Sequence, residues 1–123
     1  MSGNSIFLDT NIVLYLLSGD KTLIPLLEDK LLYISFITEL ELLSYKKLSR
    51  NDNTQIRKFL TKCIIIDING SIKELTINFR KRFNLKLPDS IIAATAMYLD
   101  VPLITADNQF KSVKDINLLY YEK

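Results

Sequence analysis

The sequence predicts an α/β fold, a three-layer α/β/α sandwich around a central parallel sheet of four to five strands. Strand-length apolar runs alternate with helix-length segments along the chain, which is the order of a parallel sheet with crossover helices. The runs are apolar throughout instead of alternating with polar residues, the pattern of strands buried on both faces. At 123 residues the chain fits one domain, residues 1–123, around one core.

Ser5–Asp9 reads as a short buried strand, Thr10–Leu17 as a helix and Ser18-Gly19-Asp20 as a turn. Thr22–Glu28 reads as a second short helix and Leu32–Ser35 as the second strand. Ile37–Ser49 carries Ile37, Leu40, Leu43 and Leu48 at helical spacing. Asn51-Asp52-Asn53 breaks that helix before another over Thr54–Lys62. Cys63–Ile66 is a β-branched strand. Asn69-Gly70 turns the chain, and Ser71 with Glu74 has the form of a capping box opening a helix to about Phe83. Pro88 suits the first turn of the next helix, which continues to about Leu99. Leu103–Thr105 and Leu118–Tyr121 supply the last strands.

Apolar residues make up 48% of the chain, enough for a packed interior. No apolar run reaches membrane length, and the N-terminus enters a strand without a basic leader region. The expected location is therefore cytoplasmic. The lone Cys63 sits in an apolar run, so it reads as a buried, inert thiol. There is no histidine. That excludes Ser-His-Asp and Cys-His nucleophiles, His-ligated zinc and RNA cleavage by paired histidines. Carboxylates, hydroxyls, amines or a metal must carry any chemistry. The net charge of +2 is unevenly spread: from Lys46 to Lys86 eleven basic residues face three acids, leaving +8 there and −6 elsewhere. A basic flank beside an acidic pocket suits a polyanion held against metal ions.

Four acids stand at strand exits or helix entrances. Asp9 ends Ile6-Phe7-Leu8, Glu41 follows the run from Tyr33, Asp89 opens an apolar helix after Pro88, and Asp107 follows Leu103-Ile104-Thr105-Ala106. Each has an ordinary reading alone: a helix cap for Asp9, a dipole partner for Asp89, a turn for Asp107. Charges beside buried strands need compensation, and four on one rim point to a shared divalent cation, because hard cations take oxygen ligands. Ligands of open α/β sheets lie outside the carboxyl ends of the strands, where Asp9 and Asp107 fall. Glu39 competes with Glu41 on the same helix, roughly 200° away, and periodicity does not choose between them. Among the neighbouring polar residues, Thr10, Asn11 and Thr105 read as supporting groups that orient the acids; Ser35 and Thr38 read as backbone caps.

At these residues the chain resembles the PIN-domain family, particularly its single-domain VapC-type toxins. The matching pieces are Leu8-Asp9-Thr10-Asn11, Ile34 to Leu42, Leu87 to Ala94 and Leu103 to Phe110. The resemblance selects Glu41 over Glu39. It implies that Asp9, Glu41, Asp89 and Asp107 are catalytic metal ligands for Mg2+ or Mn2+. It further implies hydrolysis of RNA, tRNA among the candidates, by metal-activated water to leave 5′-phosphate and 3′-hydroxyl ends. An antitoxin partner and a homodimer are implied as well. Arg80, Lys81 and Arg82 are the proposed RNA contacts within the basic stretch. Gln109 stands where many relatives carry a further acid, and Ser44-Tyr45 where many have glycine. The alternatives are a non-catalytic or weakly active PIN-like nucleic-acid-binding protein and a metal-dependent nuclease acting on DNA.

Overall fold

The computed structural model describes residues 3–123. Five strands, β1 (Ser5–Leu8), β2 (Leu31–Ser35), β3 (Ile64–Ile66), β4 (Leu103–Thr105) and β5 (Leu118–Tyr120), form one sheet in the order β3-β2-β1-β4-β5. Every neighbouring pair is parallel. The helices are α1 (Thr10–Leu17), α2 (Leu23–Leu27), α3 (Phe36–Leu43), α4 (Arg50–Leu60), α5 (Gly70–Arg82) and α6 (Leu87–Leu99), with a 3₁₀ turn over Asn108–Ser112. The α/β class and parallel sheet are as the apolar runs predict, with five strands.

Two cores flank the sheet, because successive side chains of a strand point to opposite faces. Phe7 packs with Tyr33 and Leu103 against Ile72 and Phe79 of α5 and Ile92 and Ala93 of α6. Ile6 and Leu8 pack with Ile34 and Ile104 against Ile12 and Val13 of α1, Leu42 of α3 and Ile56 of α4. Each fully buried Ile, Leu, Val or Phe among them contributes roughly 1.5–3 kcal/mol relative to exposure. The chain builds outward from β1 through β2 to β3, then crosses to the other side of β1 for β4 and β5. The strand order therefore reverses between β1 and β4, and a crevice opens at their carboxyl ends.

Three local expectations are corrected. The helix read over Ile37–Ser49 ends at Leu43, where the Ser44 hydroxyl bonds back to the Leu40 carbonyl. Asn51-Asp52-Asn53 does not break a helix; it forms the first turn of α4. Ser49 Oγ accepts from Asp52 N at 2.9 Å, and Asp52 Oδ2 accepts from Ser49 N at 3.4 Å, a capping box that nucleates the helix there. Ser71 and Glu74 form no such box, because Asn69 caps α5 by accepting from Ile72 N at 2.8 Å. Among the described residues no helix is long and apolar enough to cross a membrane.

Candidate active site

Asp9 leaves β1 at its carboxyl end and caps α1, its Oδ1 accepting from Thr10 N at 2.8 Å. Its other oxygen, Oδ2, accepts from the Thr105 hydroxyl at 2.6 Å, across the β1–β4 boundary where the strand order reverses. The carboxylate is 4% exposed, yet the hydrogen bonds it receives come from neutral donors. Burial is the largest influence on it and raises its pKa above the usual carboxylate range. The Thr105 and Thr10 hydrogen bonds act the other way, while the charges of Asp107 and Glu41 add to the rise.

Asp107 sits just beyond β4. Its backbone N–H donates to Thr105 Oγ1 at 3.0 Å, and its Oδ1 caps the 3₁₀ turn by accepting from Gln109 N at 3.0 Å. The fully buried Thr105 thus touches the side chain of one acid and the backbone of another. Glu41 is exposed on α3, and its Oε1 accepts from the Thr10 hydroxyl at 2.7 Å. Asp89 lies in the first turn of α6, half-buried. Its pKa is pushed up to about 6, first by burial and then by the charges of Asp9, Asp107 and Glu41, with Lys86 acting weakly the other way. Asp9, Asp107 and Glu41 all act on Asp89, so the four acids lie in one neighbourhood. Glu39 exerts no comparable influence on either aspartate.

Thr10 joins two of the acids, by its N–H to Asp9 and its hydroxyl to Glu41. Asn11 stands exposed beside it and makes none of these bonds. Thr38, read from sequence as a backbone cap, instead has its buried hydroxyl 2.9 Å from that of Thr10. The available signal was its spacing: residues three apart on a helix share a face, and Thr38 lies three before Glu41.

The basic stretch divides. Arg80 Nη1 donates to the Leu85 carbonyl at 2.6 Å, and Arg82 pairs with Asp115 at 2.6 Å while its guanidinium lies 4.9 Å from the centre of the Phe83 ring. Both arginines are thereby tied to the fold. Lys81 is exposed, and Lys86 is the basic residue that acts electrostatically on Asp89. Cys63 lies away from the acids, and burial pushes its thiol up to about 12.

The donor set is carboxylate and hydroxyl oxygen, the chemistry a hard divalent cation takes. As placed, no three acids among the described residues close on one ligating point. Like charges repel, and closure on a cation asks for side-chain rotation at the half-buried Asp89 and Asp107, while Thr10 holds Glu41. Asp9 is already fixed.

Residues 6–116 match the PIN domain family. A chain of a toxin–antitoxin complex from Klebsiella pneumoniae superimposes with a TM-score of 0.82 at 32% identity, over 96% of this chain and 99% of that one. VapBC2 from Rickettsia felis, bound to a DNA fragment from its promoter, gives 0.79 at 22% identity over 96% and 99%. VapBC-1 from nontypeable Haemophilus influenzae gives 0.80 at 23% over 97% and 99%. At those lower identities the last two speak to the fold alone. Among curated proteins none matches.

Proposed function

The chain belongs to the PIN-domain family, and on that premise we propose that it is a VapC-type toxin, a divalent-metal-dependent endoribonuclease neutralised by an antitoxin. The observation that carries this reading is Asp9, buried at the reversal in strand order and hydrogen-bonded by neutral groups only, with Asp107, Glu41 and Asp89 in its neighbourhood. Asp9, Glu41, Asp89 and Asp107 would hold Mg2+ or Mn2+, which when bound lowers the pKa of water and neutralises developing charge on phosphate.

The chain's own residues do the rest. Thr105 and Thr10 hold Asp9 and Glu41 in fixed orientation, so less ordering remains to be done when substrate arrives. Lys86, beside Asp89, offers a positive charge to an approaching RNA phosphate and counters repulsion from the acids. A histidine-free chain suits hydrolysis in which no side chain forms a covalent intermediate.

The 32%-identical relative is part of a toxin–antitoxin complex, which supports an antitoxin as this chain's partner. A groove of 390 Å³ between α1 and α4, floored by Leu14, Leu17, Leu48 and Ile56, offers apolar surface for one. A homodimer belongs to the same reading: Ile24 and Leu26 on α2 are 49% and 50% exposed, more apolar surface than a solvated helix needs.

The test is cleavage of total RNA by purified protein with Mn2+, with chelator, and with Asp9→Asn. Cleavage that needs Mn2+ and Asp9 supports the enzyme. Equal cleavage in chelator sinks the metal dependence, and an Asp9→Asn variant as active as wild type sinks the site.

A further inference from the structure

We propose that Thr38 is a positioning residue, acting through Thr10 to fix Glu41 for cation binding; this rests on the metal-site reading above. A buried helical hydroxyl ordinarily donates to a carbonyl of its own helix. In this chain Thr76 donates to the Ile72 carbonyl, Thr95 to Ile91 and Ser90 to Lys86, each four residues back along the helix. Such bonds satisfy the hydroxyl locally. Thr38 is the third residue of α3, and four residues back from it is Ile34, which lies in β2. That local partner is missing, yet the residue is fully buried, and a buried hydroxyl needs a partner.

Its partner is Thr10, 2.9 Å away on another helix. The direction of that bond follows from counting protons. An ionised carboxylate can only accept, so the 2.7 Å contact between Thr10 and Glu41 uses the single hydroxyl proton of Thr10. The proton between the two threonines must then come from Thr38. The chain runs Thr38 O–H to Thr10 Oγ1, then Thr10 O–H to Glu41 Oε1, and hydrogen bonds in series polarise and strengthen each other.

Two consequences follow for the exposed glutamate. One of its oxygens is held by Thr10, which leaves the other as the oxygen to meet a cation. The hold is also anchored in the core, because Thr10 is half-buried on α1 whereas Thr38 is fully buried. A group hydrogen-bonded directly to a ligand, as Thr10 is to Glu41, typically changes metal affinity by roughly 10–100-fold when deleted, and Thr38 acts one bond further out, toward the low end of that range.

The test measures Mn2+ affinity of the full chain at pH 8, by electron paramagnetic resonance of free Mn2+, so no cleavage is required. Thr38→Val keeps the shape and removes the hydroxyl; it should weaken Mn2+ binding by roughly ten-fold. Thr38→Ser keeps the hydroxyl and should bind like wild type, whereas Thr38→Ala, which differs from it by that hydroxyl alone, should not. This second pair decides the matter if the valine variant fails to fold. In a Glu41→Gln background, Thr38→Val should cause no further loss. Thr38→Val or Thr38→Ala binding like wild type overturns the proposal, as does a full additional loss on top of Glu41→Gln. A wild type that binds no Mn2+ overturns the underlying metal reading and this proposal with it; the variant comparisons fail on their own only when wild type binds.

Discussion

The Thr105 hydroxyl lies 2.6 Å from Asp9 Oδ2, joining residues 96 apart in sequence at the two central strands of the sheet. Thr105 Oγ1 also accepts from the backbone N–H of Asp107 at 3.0 Å. One buried hydroxyl therefore serves two acids of the candidate site. Thr105→Val preserves shape but strands a buried carboxylate oxygen and a backbone N–H, each worth about 1–3 kcal/mol when left unpaired. Together these come to about 2–6 kcal/mol, so the melting temperature should fall by at least roughly 6 °C for a chain of this size. Asp9 also loses the hydrogen bond that most restrains its pKa rise, so the stabilisation by Mn2+ at pH 7 should shrink. Melting curves with and without Mn2+ check both effects; unchanged curves would mean that the contact is incidental.

The second prediction concerns pH. Asp89 is raised to about 6 from an unfolded value near 3.9. The folded chain therefore binds that proton more tightly than the unfolded chain does. Its contribution to stability is present below about pH 4 and is lost as pH rises through about 6. Asp9, also raised, acts with the same sign. In chelator, melting temperature should decline from pH 4 to pH 7, and Asp89→Asn should flatten part of that decline. Removing a carboxylate from a repelling group should also leave this variant more stable than wild type at pH 8. Because cation and proton compete for the same oxygens, stabilisation by Mn2+ should be larger at pH 8 than at pH 5. A stabilisation that is constant across this range would separate Mn2+ binding from these acids.

The first part of the site was legible because buried parallel strands announce themselves as unbroken apolar runs, so Asp9 and Asp107 stand out at their ends. The choice between Glu39 and Glu41 was not legible from periodicity. What distinguishes them is a hydroxyl on Thr10, 31 residues from Glu41, and no local pattern encodes a contact of that range. The same limit hid the partner of Thr38. The misread boundary near residue 50 has a different origin: Asn and Asp are at once turn formers and good residues for a helix's first turn, and the Ser49–Asp52 pair decides between these roles. The pairing of Arg82 with Asp115, 33 residues on, is a contact of the same long range that no local pattern announces.

A third prediction tests a clasp at the C-terminal strand. Asp20 caps the start of α2 through the N–H groups of Thr22 and Leu23, both at 2.9 Å, and receives the Tyr121 hydroxyl at 3.0 Å and Lys123 Nζ at 2.9 Å. Lys123 also lies 4.5 Å from the centre of the Tyr15 ring. The Lys123 contact, followed by the Leu23 N–H, holds the Asp20 carboxyl below the usual range. A depressed pKa stabilises the fold above the unfolded value, and the benefit is lost as pH falls below about 4. This window is distinct from that of Asp89. Asp20→Asn should melt lower than wild type at pH 7, and the gap should close on acidification toward pH 2. A gap that persists there would assign the effect to the helix cap and not to the charge.

The last prediction separates the basic residues that meet RNA from those that hold the fold. Arg80 and Arg82 have partners in the Leu85 carbonyl and Asp115, so Arg82→Gln should lower the melting temperature and leave RNA affinity nearly unchanged in folded protein. Lys81 is exposed, and Lys86 both is exposed and acts on Asp89. If these two lysines contact phosphates, each contributes roughly −0.7 to the log–log slope of affinity against salt on a single strand. Replacing both with glutamine should therefore reduce the magnitude of that slope by about 1.4, while the melting temperature in chelator stays near wild type. Lys86→Gln alone should also raise the Asp89 pKa further, moving the onset of stabilisation by Mn2+ to higher pH. Fluorescence anisotropy of a labelled single-stranded RNA, measured in chelator across a salt series, supplies the slope. A double variant with the wild-type slope would remove both lysines from the RNA path.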